Sequence, residues 1–275
     1  MNDKLHENWP GYKKILLPLG HKADINNLTD LASYIIERKK GEVKFIHVMR
    51  EGSYIDLPRE WREGAKRVTE SHHKMMQYGI HSDREIVTSK TIERGILETA
   101  FDMEAEAIIL GWGPKPGAKI SKMASHIMDN FHGDVIIYKN RVDIEQTKKV
   151  MYPVAKVPSK SRLNLIKHIV QETGATLTLA HYVDKRDGSR QKGKKVLAAA
   201  KDKALEFKID AETMMLEGNS LAASIKKATE DFELLVIGPS GDWWVYQTVF
   251  GRTTDKIAEA AQCSVLLHKY KSEDE

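Results

Sequence analysis

The chain has 275 residues, 41% hydrophobic and 30% charged, with a formal net charge of +4 at neutral pH. That length accommodates two domains of ordinary size, and the composition is that of a globular protein rather than a disordered one. Basic residues are interspersed with acidic ones, which argues against a dedicated nucleic-acid surface. No apolar run approaches the length of a membrane span and the first residues do not read as a secretory signal, so a cytoplasmic chain is expected. The single cysteine, Cys263, rules out an intrachain disulfide and fits a reducing compartment. It lies beside the last predicted strand and reads as a buried structural thiol.

Taken in chain order, the elements repeat. Lys13-Lys14-Ile15-Leu16-Leu17-Pro18-Leu19 is echoed by Lys148-Lys149-Val150-Met151-Tyr152-Pro153-Val154. Amphipathic helices follow over Asn27–Lys39 and Ser161–Glu172, each expected to end at a glycine, Gly41 or Gly174. Strands come next, Val43–Val48 and Leu177–Val183, each with a histidine, His47 or His181. Ala107-Ile108-Ile109-Leu110-Gly111 parallels Leu234-Leu235-Val236-Ile237-Gly238, and Val135-Ile136-Ile137-Tyr138 parallels Val265-Leu266-Leu267-His268.

Each half therefore alternates strand and helix through five strands. The first half is predicted to have strands near 14–19, 43–49, 83–88, 107–112 and 134–139, with helices near 25–39, 58–78, 91–103 and 120–132. The second has strands near 149–154, 176–183, 211–217, 234–238 and 264–269, with helices near 160–172, 190–207, 219–230 and 252–262. Parallel strands need crossover helices, so this alternation predicts an α/β fold of two tandem doubly wound parallel sheets. The break is expected in the charged stretch Arg141–Thr147, giving domains 1–145 and 146–275.

Sheets of this kind bind ligands beyond the carboxyl ends of the strands, where strand order reverses. The loops after the first and fourth strands of each half meet there. In the second half the fourth strand runs straight into Gly238, Ser240 and Gly241, then Trp243 and Trp244, then Gly251, Arg252 and Thr253 at the start of a helix. Spaced glycines let backbone approach a ligand, and a helix N-terminus with an adjacent arginine attracts an anion. By itself the loop reads more readily as a tight strand-to-helix connection that needs glycine for the turn.

The G-x2-G-x9-G spacing of Gly238, Gly241 and Gly251, with the ILLP and VMYP openings, resembles two tandem universal stress protein domains. That resemblance implies a flavodoxin-like (adenine nucleotide hydrolase-like) fold whose two halves pair as an intramolecular pseudo-dimer, with further homodimers an option. It also implies a regulatory adenine-nucleotide (ATP or AMP) binder rather than an enzyme. The phosphates would lie against Gly238, Ser240 and Gly241, closed by Gly251, Arg252 and Thr253, and the base against Val154 and Ala155. Two departures stand out. Gly20 and Ala155 occupy the positions where many members carry an adenosine-contacting aspartate. In the first half, Gly111–Gly117 is proline-interrupted, with Ser121 and Lys122 where Gly251 and Arg252 stand, so that half reads as degenerate. The ILLPLG and LGWG segments resemble the stress-type domains appended to amino-acid and cation transporters. The alternative is therefore a nucleotide-free regulatory or assembly module of a membrane transporter, with the arm Met1–Trp9 as a connection.

Other residues read plainly. His47 and His181 are expected to be buried with hydrogen-bond partners, and His72 and His73 to be surface residues. Trp243 and Trp244 either stack on a base or pack against protein, and Trp112 is expected to pack. Lys192, Lys194 and Lys195 with Arg186 and Arg190 read as a solvated connection before a helix. No metal-ligand spacing, nucleophile elbow or catalytic triad is evident, so no structural metal is expected.

Overall fold

The computed structural model describes residues 9–21, 23–52, 57–112, 121–185, 190–238 and 252–270, with the backbone alone at Leu57, Arg252 and Thr253. It divides into two compact units, essentially residues 10–138 and 139–268.

In the first unit the strands are β1 (Lys14–Pro18), β2 (Glu42–Arg50), β3 (His81–Ser89), β4 (Ala107–Gly111) and β5 (Asp134–Lys139). The helices are α1 (Ile25–Ile35), α2 (Leu57–Gln77), α3 (Ile92–Asp102) and α4 (Lys122–Asn130). The strands run parallel in the order β3-β2-β1-β4-β5. Chain order reverses between β1 and β4, as the strand–helix alternation predicts. Helix α2 packs on β2, β3 and α1, whereas α3 packs on α4. The central strands are apolar along their length: Ile15, Leu16, Leu17, Ile108 and Ile109 are all fully buried, as strands covered on both faces must be.

The second unit repeats this plan with β6 (Lys149–Pro153), β7 (Thr176–Asp184), β8 (Ala211–Gly218), β9 (Leu234–Ile237) and β10 (Ser264–Lys269). Its helices are α5 (Lys160–Thr173), α6 (Arg190–Glu206), α7 (Leu221–Ala228) and α8 (Arg252–Ala260). The parallel order is β8-β7-β6-β9-β10. Buried Arg162 on α5 donates to the Tyr152 hydroxyl (3.3 Å) and to the carbonyl of His268 (2.8 Å), tying the helix to the end of β10.

Two local expectations need correction. Helix α1 does not run to Lys39 or end at Gly41: it stops at Ile35, and Ile36 is extended and bridges to Tyr12. Tyr12 N–H donates to Ile35 O (2.9 Å) and Glu37 N–H to Tyr12 O (2.8 Å). Gly11, at φ +111°, permits this approach, because a Cβ there would lie 2.6 Å from Glu37 N. The backbone pairing with the chain before β1 outcompetes another helical turn. At the matching place α5 does end at a left-handed glycine, Gly174, at φ +68°. The second correction concerns Arg190, Lys192, Lys194 and Lys195, which form the first turns of α6 rather than a connection; Arg190 pairs with Glu217 at 3.2 Å.

Candidate functional site

The switch point of the second unit lies between β6 and β9, paired through Val150–Leu234 and Met151–Leu235. In that register Val154 is level with Gly238, and both are buried. Ala155 is half-buried and Lys156 exposed. Ser240, Gly241, Trp243, Trp244 and Gly251 lie outside the described residues. Arg252 and Thr253 open α8, their side chains also outside the description. Thr254, next along the helix and outside the predicted site set, is 2% exposed, and its hydroxyl has no hydrogen-bond partner among the described residues. The run Arg252-Thr253-Thr254 behind Gly251 is the sequence signal for it.

A repeated device braces the loop after the first strand in both units. In the second, His181 Nδ1 donates to the carbonyl of Val154 at 2.7 Å. Its ring packs on α6 at Gly193, where a Cβ would approach His181 Cδ2 to 2.8 Å. In the first, His47 Nδ1 donates to Leu19 O, also at 2.7 Å, and its ring packs on α2 at Gly64, where a Cβ would come within 2.2 Å of Cδ2. A carbonyl only accepts, so in each ring the proton is on Nδ1. Burial pushes the His47 pKa below the usual histidine value, favouring the neutral ring. Both histidines are thus buried and hydrogen-bonded, as expected. His72 is less of a surface residue than expected: it is half-buried and 2.8 Å from the Ser82 hydroxyl, and burial lowers its pKa.

The residues beside the two braced histidines differ in charge. Around the end of β6 stand Lys156, then Lys160 at the start of α5, and Lys192 directly before Gly193. Around the end of β1 stand His21, with Glu60 and Glu63 on α2, Glu63 directly before Gly64. At the first-unit switch point Ser121 Oγ accepts from the Ala124 amide (3.0 Å), so the residue's own side chain occupies one of the α4 N–H groups that an anion would use. Trp112, after β4, is buried as expected, with its N–H donated to Tyr138 O at 2.7 Å.

Comparison with known proteins bears on the whole chain and on its second half. Residues 146–269 match the model of the universal stress protein family. The universal stress protein YxiE of Bacillus subtilis (strain 168) is 29% identical over 97 residues, 34% of this chain and 66% of that protein, so the chain spans just under two thirds of that relative. A universal stress protein from Archaeoglobus fulgidus DSM 4304 superposes with a TM-score of 0.64 at 15% identity, covering 95% of this chain and 97% of that one. The cytoplasmic domain of a prokaryotic cation chloride cotransporter superposes with a TM-score of 0.67 at 12% identity, covering 97% and 98%. At such identities the superpositions establish the fold. No helix among the described residues is long and apolar enough to cross a membrane. Residues 146–269 are thus similar to the universal stress protein family, and the first half of the chain repeats the same fold in tandem.

Proposed function

We propose that this chain is a universal stress-type regulatory protein that binds an adenine nucleotide, ATP or AMP, in its second domain (146–275), the first domain being 1–145. The observation that carries the reading is the β6–β9 switch point, where Val154 lies level with Gly238 and Lys156 follows the end of β6. The base would rest against Val154 and Ala155. The phosphates would take backbone N–H groups at Gly238, Ser240 and Gly241, with Gly251, Arg252 and Thr253 closing the far side. Lys156 supplies positive charge at the mouth. The role is binding rather than catalysis: the ligand's occupancy would select a partner or a conformation. Titration calorimetry with ATP and AMP, with and without magnesium, tests it. The Gly241→Val and Lys156→Glu chains should lose affinity while keeping their circular dichroism; unchanged affinity in both removes the proposed site.

A second reading draws on the likeness to the cotransporter's cytoplasmic domain. On it, the chain is a nucleotide-free regulatory or assembly module of a transport system. Co-purification of a membrane transporter with the tagged chain, undiminished in Gly241→Val, would favour this reading over the first.

A further inference from the structure

Three segments far apart in sequence converge beyond the carboxyl ends of β1 and β2: the loop after β1 brings His21, β2 brings His47 and α2 brings Glu60. One ligand-type atom from each lies within 4.8 Å of the other two. The central member is His47. Its ring is 2% exposed, and its Nδ1–H is committed to Leu19 O. In the neutral ring Nε2 therefore carries a lone pair. That nitrogen is buried and has no hydrogen-bond partner among the described residues, which is rare for a native polar atom and calls for an explanation. The His21 ring meets it edge-on, with centroids 5.1 Å apart at 78°. On the outer side, His21 Nε2 lies 3.4 Å from Glu60 Oε1 and Nδ1 lies 3.5 Å from Glu63 Oε2.

We propose that His47 Nε2, His21 Nε2 and the Glu60 carboxylate form a binding site for a divalent transition metal, best matched by zinc, with the fourth position open to solvent. Two imidazoles and one carboxylate make a donor set suited to zinc rather than to magnesium or calcium, which take oxygen ligands. The outer partners have the arrangement that orients metal-binding histidines: each ring's other nitrogen faces an oxygen, Leu19 O for His47 and Glu63 for His21. Zinc–nitrogen bonds are about 2.0–2.1 Å, so the cluster must contract on binding. His21 and Glu60 are the members able to move, since His21 is 48% exposed on a loop and Glu60 21% exposed on the first turns of α2, while His47 is fixed in the core.

The second unit supplies an internal control. Aligned on the braced carbonyls of Leu19 and Val154, the position of His21 becomes Lys156, and aligned on Gly64 and Gly193, those of Glu60 and Glu63 become Ser189 and Lys192. Its buried histidine is braced in the same way, but Lys156 and Lys192 stand where His21 and Glu63 do and would repel a cation. The same crevice in the tandem fold is thus prepared for a cation in the first half and for an anion in the second. Metal binding would fasten the loop after β1 to α2. This site stands or falls independently of nucleotide binding, which concerns other residues in the other unit.

The test is titration of the tag-free, metal-stripped full chain with zinc chloride by calorimetry, and with cobalt chloride by visible absorbance. The chain has 11 histidines, so variants rather than stoichiometry identify the site. His21→Ala and Glu60→Gln alter exposed or half-exposed side chains and should keep the fold. Each should weaken zinc by ~10-fold or more, as should Glu63→Gln through loss of the outer partner; Lys192→Glu should bind as the parent does. The parent should give tetrahedral cobalt absorbance that His21→Ala loses. Absence of saturable zinc binding in the parent, or equal affinity in His21→Ala and Glu60→Gln, overturns the proposal.

Discussion

Gly64 is the residue on which the first unit's loop brace depends most sharply, and Gly64→Ala makes that dependence measurable. At an ordinary interior helix position this exchange stabilises by about 1 kcal/mol through helix propensity. Here the new methyl would sit 2.2 Å from His47 Cδ2 and 2.6 Å from Cγ. The ring cannot swing aside freely, because it is 2% exposed and anchored to Leu19 O at 2.7 Å. Overpacking of this kind costs roughly 1–3 kcal/mol, and displacing the ring would forfeit a hydrogen bond of about 1 kcal/mol. Against the propensity gain, a net destabilisation of about 1–3 kcal/mol is expected. Gly193→Ala is the matched control. Its Cβ would lie 2.8 Å from His181 Cδ2 and 3.0 Å from the flexible Met215 sulfur, so its loss should be smaller. Urea unfolding followed by circular dichroism compares the two. The double variant Gly64→Ala/His47→Ala should recover part of the single-variant loss, with a coupling of about 0.5–3 kcal/mol. A Gly64→Ala chain as stable as the parent, or more so, would refute the packing argument.

Three further outcomes are expected. Cys263 is 1% exposed and burial raises its pKa to about 12, so it should resist thiol reagents in the native chain and react fully once denatured. Its folded pKa lies above the unfolded reference of 9.0, so this contribution to stability is complete below about pH 9 and is lost as pH rises toward about 12; a Cys263→Ala chain should lose less stability across that window. Asp30 receives Lys74 Nζ at 2.8 Å and the Tyr78 hydroxyl at 2.7 Å, joining α1 to the end of α2. Asp30→Ala should cost about 1.5–3 kcal/mol in urea unfolding, and Asp30→Asn less. Ser121→Ala removes the cap of α4 and should lower stability by about 0.5–2 kcal/mol, readable as a fall in melting temperature.

Much of the fold was legible because the signals were local and repeated. The apolar runs Ile15–Leu17 and Val150–Tyr152, the pairing of His47 with His181, and the helix periods between them reappear as β1, β6, β2, β7 and their helices. What escaped depended on contacts between distant segments. The end of α1 is set by Tyr12 pairing with Ile36, across more than twenty residues of chain, so neither helix propensity nor Gly41 decides it. The Glu60–His21 approach joins a loop to a helix across an intervening strand. No spacing rule covers residues 21, 47 and 60, and the cluster appears only when two crossovers are folded. A hint was present in the repeat, since Glu63-Gly64 and Lys192-Gly193 align with their histidines and carry opposite charge. The segment 239–251, which holds Ser240, Gly241 and Gly251, lies outside the described residues, so the nucleotide loop rests on its sequence spacing and on the strand ends that flank it.

Equilibrium dialysis of the full chain against radiolabelled ATP, and separately AMP, tests the central claim most directly because it counts sites. The asymmetry between a second half that keeps the Gly238, Gly241 and Gly251 spacing and a first half whose loop is proline-interrupted and whose α4 is capped by Ser121 predicts saturation at one nucleotide per chain, abolished by Gly241→Val. Two nucleotides per chain would contradict the assignment of binding to the second half alone. Silence at millimolar ligand would contradict nucleotide binding itself and leave the transporter-associated module as the reading to pursue.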